Sequence, residues 1–195
     1  MNYISVDWGT SNFRAMRVKQ GRVVRTVQSE KGVARCPREQ LGAVLREELM
    51  RLGDDYNEQL PVILCGMIGS NIGIVDAGYL TLPVSFHDLV ARGIPLENVL
   101  PNPVTVRPGI CSREEHEICR GEEMQLAGAL TIGEARVFAA VGTHSNPVPY
   151  RFARWAALMG IIWRTICIIT IAWVSDRRFT GPASRHSLPA GALWR

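Results

Sequence analysis

Between Tyr3 and Val18 the chain reads YISVDWGTSNFRAMRV: an apolar strand, an acid at Asp7, a polar turn through Gly9, Thr10 and Asn12, and a second apolar strand. A hairpin that only reverses direction needs two residues such as Asn-Gly or Asp-Gly. Asp-Trp-Gly-Thr-Ser-Asn carries more hydrogen-bonding groups than that. Gly9 removes a side chain from the turn, so backbone N–H groups and the Thr10 hydroxyl could approach a phosphate. An acid at a strand end can hold Mg²⁺, directly or through water. An ornate hairpin without a ligand is the competing reading of this motif taken alone.

Outward from this hairpin, FRAMRVK leads through a Gln20-Gly21 turn into RVVRTVQSE, which predicts three antiparallel strands in succession. Pro37 opens a helical pattern, PREQLGAVLREELMRLG. Leu41, Val44, Leu45, Leu49 and Leu52 recur at helical spacing there, and Gly53 supplies the stop. PVILCGM is continuously apolar, as expected of a strand covered on both faces. The Gly-rich GMIGSNIGIVDAGYL follows. A short helix is expected near Phe86–Arg92, a strand near Val99–Val106, a turn at Pro108-Gly109, a helix start in RGEEMQLAGAL, and a strand in ARVFAAV running into GTHS. Three antiparallel strands, a helix, then strands alternating with helices predict an α/β domain built on a mixed sheet.

The formal charge of +4 is unevenly spread. Residues 146–195 hold seven arginines against Asp176 alone, a balance of +6, which leaves −2 for residues 1–145. The basic character belongs to the tail, so the body gives no reason to expect a nucleic-acid partner. Lysine and glutamate are absent beyond Ser145, and four of the five tryptophans lie there. The run Trp155–Val174 approaches membrane-span length, but Arg164 near its centre argues against a span. The final twenty or so residues have no periodicity and predict a poorly ordered end. The five cysteines (36, 65, 111, 119, 167) form no framework and no signal peptide precedes the first strand, so a reducing, cytoplasmic setting is expected. Cys111, His116 and Cys119 offer three zinc ligands without a fourth.

No G-x-x-x-x-G-K-[ST] and no G-x-S-x-G occurs, which excludes a P-loop and weakens a serine hydrolase. CGMIGSNIG places Gly66, Gly69, Ser70, Asn71 and Gly73 after an apolar strand, where a loop can present donors to a ligand or simply connect two elements. In RGEEMQ, Glu122 and Glu123 at a helix start complement the helix dipole whatever else they do. GTHS repeats the opening chemistry, with Gly142 and Thr143 at a strand end.

Taken in order, DWGTSN, SEKGV, CGMIGSNIG with YLTLP, RPG, RGEEMQLAGA and GTHS closely resemble the 2-dehydro-3-deoxygalactonokinase family, sugar-acid kinases of the actin-like ATPase superfamily. The resemblance runs from about Tyr3 to Ser145. It implies a ribonuclease H-like (actin-like ATPase) N-terminal domain with a mixed sheet, ATP and Mg²⁺ as cofactors, and a small sugar acid as substrate. It implies that Asp7, Gly9 and Thr10, with Asn12 in the same turn, hold Mg²⁺ and the ATP phosphates, Asp7 being the metal ligand. Gly142 and Thr143, with His144 and Ser145, match the second phosphate motif. Gly66, Met67, Gly69 and Ser70 match the loop near the sugar acid, and Arg120 is implied as partner of the substrate carboxylate. Glu122 or Glu123 would orient or deprotonate the attacking hydroxyl.

After Ser145 the family pattern of Lys-Trp-Val gives way to Asn146-Pro147-Val148, where the composition also changes. The expectation is therefore a domain over residues 1–145 carrying both phosphate motifs, a tail over 146–195 produced by a frame shift at Asn146, and a second domain missing. One domain presents half a nucleotide cleft, so the chain itself is expected to be inactive. The alternatives are a non-catalytic fragment, or a membrane- or partner-associated protein acting through the apolar tail.

Overall fold

The structure is a computed structural model and describes residues 1–113, 117–124, 138–140 and 146–148. Strands β1 (Asn2–Trp8) and β2 (Phe13–Lys19) pair antiparallel from Asn2↔Lys19 to Trp8↔Phe13. β3 (Arg22–Ser29) pairs antiparallel with β2. Gln20 and Gly21, at φ of 51° and 77°, make the turn between them, the left-handed pair that a two-residue hairpin favours. β4 (Val62–Cys65) lies parallel to β1 on its other side. The sheet is completed by β6 (Ile94–Leu96) and β7 (Val104–Val106), in the order β3-β2-β1-β4-β7-β6. Because β1, β4 and β7 are parallel, their carboxyl ends share one edge, the usual ligand edge of an α/β sheet. This is the mixed-sheet α/β architecture expected from the sequence.

Helix α1 (Leu41–Met50) covers one face. Its leucines at 41, 45 and 49, with Leu52 just beyond, are buried against Ile4, Val6, Trp8, Leu64 and Val106. Each such side chain contributes about 1.5–3 kcal/mol of burial, an upper bound set by the unfolded reference. The helix proper starts four residues after Pro37 because Arg38–Gln40 form a 3-10 turn. On the opposite face Tyr3, Met16 and Val18 form a smaller cluster, and Asp7 alternates onto that face at the strand end.

Three elements depart from the sequence reading. The strand expected from Val99 is confined to Val104–Val106. Pro101 and Pro103 bracket Asn102, whose amide donates to the carbonyls of Asn57 and Leu60 (both 2.9 Å) and whose oxygen accepts from the Tyr56 hydroxyl (2.6 Å), so this stretch is held as a loop. Strand β6 contains Pro95, tolerated because β6 is the edge of its sheet. A second sheet was not anticipated: β5 (Tyr79–Thr81), β8 (Gly109–Ser112) and β9 (Glu117–Cys119), in the order β5-β8-β9. There Cys111 faces Ile118 and Cys119 faces Ile110, so the two cysteines project to opposite sides of the sheet. His116 lies outside the described residues.

β10 (Phe138–Ala140) pairs antiparallel with β11 (Asn146–Val148). The pairing crosses the boundary placed between Ser145 and Asn146, so the first residues of the expected tail are joined to the strand before it. The run Trp155–Val174 lies outside the described residues. Among the described residues no helix is long and apolar enough to cross a membrane.

Candidate active site

The turn between β1 and β2 is fixed from below and from the side. Below it, Trp8 and Phe13 face each other across the ladder, fully buried, with ring centroids 5.0 Å apart and edge-to-face. Beside it runs a strap, residues 32–34. Gly32 N–H donates to Ser11 O (3.2 Å), Val33 N–H to Gly9 O (2.9 Å) and Ala34 N–H to Thr10 O (3.1 Å). The Trp8 indole N–H adds a bond to Lys31 O (2.8 Å). All three turn carbonyls are thus turned toward the strap. In a trans peptide the following N–H points the other way, so the amides of Thr10, Ser11 and Asn12 are directed away from the strap, as an anion cradle requires. A Cβ on Gly32 would lie 2.2 Å from the Ser11 carbonyl carbon, so the approach depends on glycine.

Asp7 stands at the carboxyl end of β1, opposite Arg14 on β2 and Cys65 on β4. The Arg14 guanidinium is 3.7 Å from its carboxylate, whose side chain keeps 28% exposure. Burial lifts the Asp7 carboxyl above its ordinary value, Arg14 pulls it down, and the negative charge of Glu122 adds to the lift. Beside it, burial pushes the Cys65 thiol well up, with Asp7 and Glu123 adding to the effect, so this cysteine stays a neutral packing group.

Two glycines let other backbone reach Asp7. Gly66, directly after β4, has φ 91° and ψ −156°, and a Cβ there would meet Trp8 O at 2.8 Å and Asp7 Oδ1 at 3.3 Å. Gly121, at φ 107°, brings the Arg120–Glu123 turn onto Gly66, where a Cβ would lie 3.3 Å from the Gly66 Cα. That turn is self-capped. Glu122 Oε2 accepts from Arg120 N–H (2.8 Å), and both oxygens of Glu123 accept from Gly121 N–H (2.9 and 2.7 Å). Glu123 is 1% exposed, and burial raises its carboxyl to about 7 in spite of the Gly121 bond. Glu122 is half-buried.

The structure thus gathers Asp7, Gly9–Asn12, Gly66, Glu122 and Glu123 at one edge. It directs other singled-out groups inward. The Arg120 guanidinium, expected to face a substrate carboxylate, donates to Gly69 O, to Gly78 O (3.2 Å) and to the Tyr79 hydroxyl (3.3 Å). It lies 4.1 Å from the Tyr79 ring centroid and 3.7 Å from Asp76. Gly69 is wedged between Val106 and Arg120, the Ser70 hydroxyl donates to Met67 O (2.7 Å), and Met67 packs on the main core. Gly142, Thr143, His144 and Ser145 lie outside the described residues. The sequence reading gave no role to Arg14, Gly32 or Tyr79. A cross-strand partner for Asp7 was the available signal for Arg14, and the lone glycine after β3 was the signal for Gly32.

Comparison with known proteins shows the family. The family model described as 2-keto-3-deoxy-galactonokinase matches residues 7–154, running past Ser145. The 2-dehydro-3-deoxygalactonokinase of Escherichia coli (strain K12) is 36% identical over 144 residues, 73% of this chain and 47% of that protein. A Rhizobium meliloti (strain 1021) protein named "Probable 2-dehydro-3-deoxygalactonokinase DgoK1" is 28% identical over 80% of this chain and 49% of its own length. A crystal structure from Sinorhizobium meliloti, of a protein named for the same kinase activity, superposes with a TM-score of 0.65 at 29% identity, covering 75% of this chain and 49% of that one. The chain spans about half the length of the curated relatives it matches. With the motif order, the sheet and the family match in agreement over most of its length, the chain belongs to the 2-keto-3-deoxy-galactonokinase family.

Proposed function

We propose that this chain supplies the metal- and phosphate-holding half of an ATP-dependent sugar-acid kinase, which moves the γ-phosphoryl of ATP to the terminal hydroxyl of 2-dehydro-3-deoxy-D-galactonate. The observation that carries this reading is the close approach of Gly66 and the Gly121 turn to Asp7, at the same sheet edge as a turn whose amides face away from the strap. A carboxylate lifted by burial and by the charge of Glu122 fits a divalent cation, which would relieve both. Asp7 would hold Mg²⁺, and the metal's contribution when bound is to neutralise charge on the phosphates. The amides of Thr10, Ser11 and Asn12 would hold phosphate oxygens, with Gly142 and Thr143 as the second phosphate turn. Glu122, half-buried and close enough for its charge to lift the Asp7 carboxyl, would take the hydroxyl proton as the oxygen attacks phosphorus and ADP leaves. Glu123, with both oxygens on Gly121 N–H, would hold that turn in place.

We also propose that turnover requires the rest of the cleft, since this chain spans about half of each relative. A non-catalytic fragment that still binds small anions is the second reading, favoured by the same proportion. The test has two arms. Asp7→Asn should weaken Mg²⁺-dependent ADP binding by roughly tenfold or more while the far-ultraviolet circular dichroism is unchanged, a loss on the scale of one charged partner. Unchanged affinity would remove Asp7 from the metal role. Separately, ATP turnover by this chain at the rate of the E. coli relative would show that this half suffices.

A further inference from the structure

We propose that Glu48, on α1 and outside the site, is a positioning residue for the phosphate turn, acting through Lys31 and the strap. The claim rests on reading Gly9–Asn12 as that turn. Along α1 the buried positions are Leu41, Leu45, Glu48 and Leu49, so a carboxylate occupies a place where a leucine would pack, and it is 1% exposed. Burying an ion pair is weak support for stability, because well-packed apolar residues usually do as well or better. What the carboxylate does that leucine cannot is hold the strap. Glu48 Oε1 lies 3.1 Å from the Lys31 ammonium, and Oε2 pairs with Arg51. The Ser29 side chain also bonds to it. Burial by itself would lift this carboxyl, but the bonds to Lys31, Arg51 and Ser29 outweigh it and hold the group below its ordinary value.

Lys31 is therefore fixed at both ends. Its ammonium is held by Glu48 and by Glu47 (2.7 Å), and its carbonyl by the Trp8 indole (2.8 Å). The next three residues are those whose N–H groups occupy the carbonyls of Ser11, Gly9 and Thr10. The Glu48–Lys31 pair sets where the strap starts, the strap sets the direction of the turn carbonyls, and these set the opposite direction of the turn amides. Arg51 adds a bond to Gln28 O (3.3 Å), tying the same helix to β3 just before the strap.

The experiment uses the full chain with Glu48→Gln, Lys31→Met and Lys31→Arg. Three readouts are compared: amide hydrogen exchange at Gly32, Val33 and Ala34 against amides of β4, affinity for inorganic phosphate and for ADP with Mg²⁺, and the thermal midpoint. Glu48→Gln and Lys31→Met should each speed exchange of the three strap amides selectively and weaken phosphate and ADP by roughly tenfold, the usual scale for loss of a supporting contact. Lys31→Arg should recover most of the affinity. A lower midpoint with strap exchange and affinity unchanged would make Glu48 a structural charge only and overturn the proposal. Should one variant fail to fold, the other carries the same two readouts. If the unaltered chain binds neither phosphate nor ADP, the phosphate reading of the turn fails by itself, and strap exchange alone then decides whether Glu48 holds it.

Discussion

Gly66→Ala is the most exacting single test of the site's geometry. At φ 91° and ψ −156° the backbone occupies a region that is essentially restricted to glycine, and residues forced there are strained by about 1–3 kcal/mol. The added Cβ would also sit 2.8 Å from Trp8 O, a carbonyl of the central strand with no room to retreat. Overpacking of this kind adds about 1–3 kcal/mol. The sum, about 2–6 kcal/mol, is a large part of the roughly 5–15 kcal/mol by which domains are stable. Gly53→Ala is the matched control. Its φ of 61° is also positive, yet nothing lies within 4 Å of the new Cβ, so only the left-handed penalty of about 1–2 kcal/mol applies. Urea unfolding followed by circular dichroism measures both. Equal losses in the two variants, or a loss below about 0.5 kcal/mol for Gly66→Ala, would refute the close approach of Gly66 to β1 and Asp7.

Two further outcomes are expected. With its carboxyl raised from 4.5 to about 7, Glu123 binds its proton more tightly in the folded chain, so its contribution is complete below pH 4.5 and is lost as pH rises through 7. The unfolding free energy of the parent chain minus that of Glu123→Gln should therefore fall by roughly 3 kcal/mol across that window. A difference that is flat with pH would place the Glu123 carboxyl in an ordinary environment. Arg120→Ala removes the charged donor shared by the carbonyls of Gly69 and Gly78, which keep only the N–H groups of Ala77 (2.9 Å) and Gly109 (3.1 Å), and should lose about 1–3 kcal/mol, with faster proteolysis between residues 70 and 78. Tyr79→Phe should lose less, and loop cleavage unchanged in Arg120→Ala would show that the guanidinium does not hold that segment.

The first three strands and β4 were legible because local signals agreed: apolar stretches bounded by turn residues, and a continuous apolar run at the sheet centre. Strands β5, β8 and β9 were not, because each has three or four residues, too few to establish a period, and β5 pairs in parallel with a segment some thirty residues distant. At the site, Asp7, Gly66 and Glu122–Glu123 could be read as a set from motif order. The direction of Arg120 could not. Two of its partners are main-chain carbonyls of a loop, and carbonyls leave no mark on the identity of the residues that carry them.

The strap has the same property, with a consequence for how this region would look to mutagenesis. Its three bonds to the turn are donated by main-chain N–H groups, so exchanging the exposed side chain of Ala34 for another small one leaves every bond in place. An alanine scan would skip Ala34 and would report Val33, which is buried in the main core, as a packing residue only. Proline at position 33 deletes the donor to Gly9, and any side chain at position 32 wedges the two backbones apart. Tolerance measured with the usual substitutions would therefore map the silence of the side chains and miss the one feature that aims the turn.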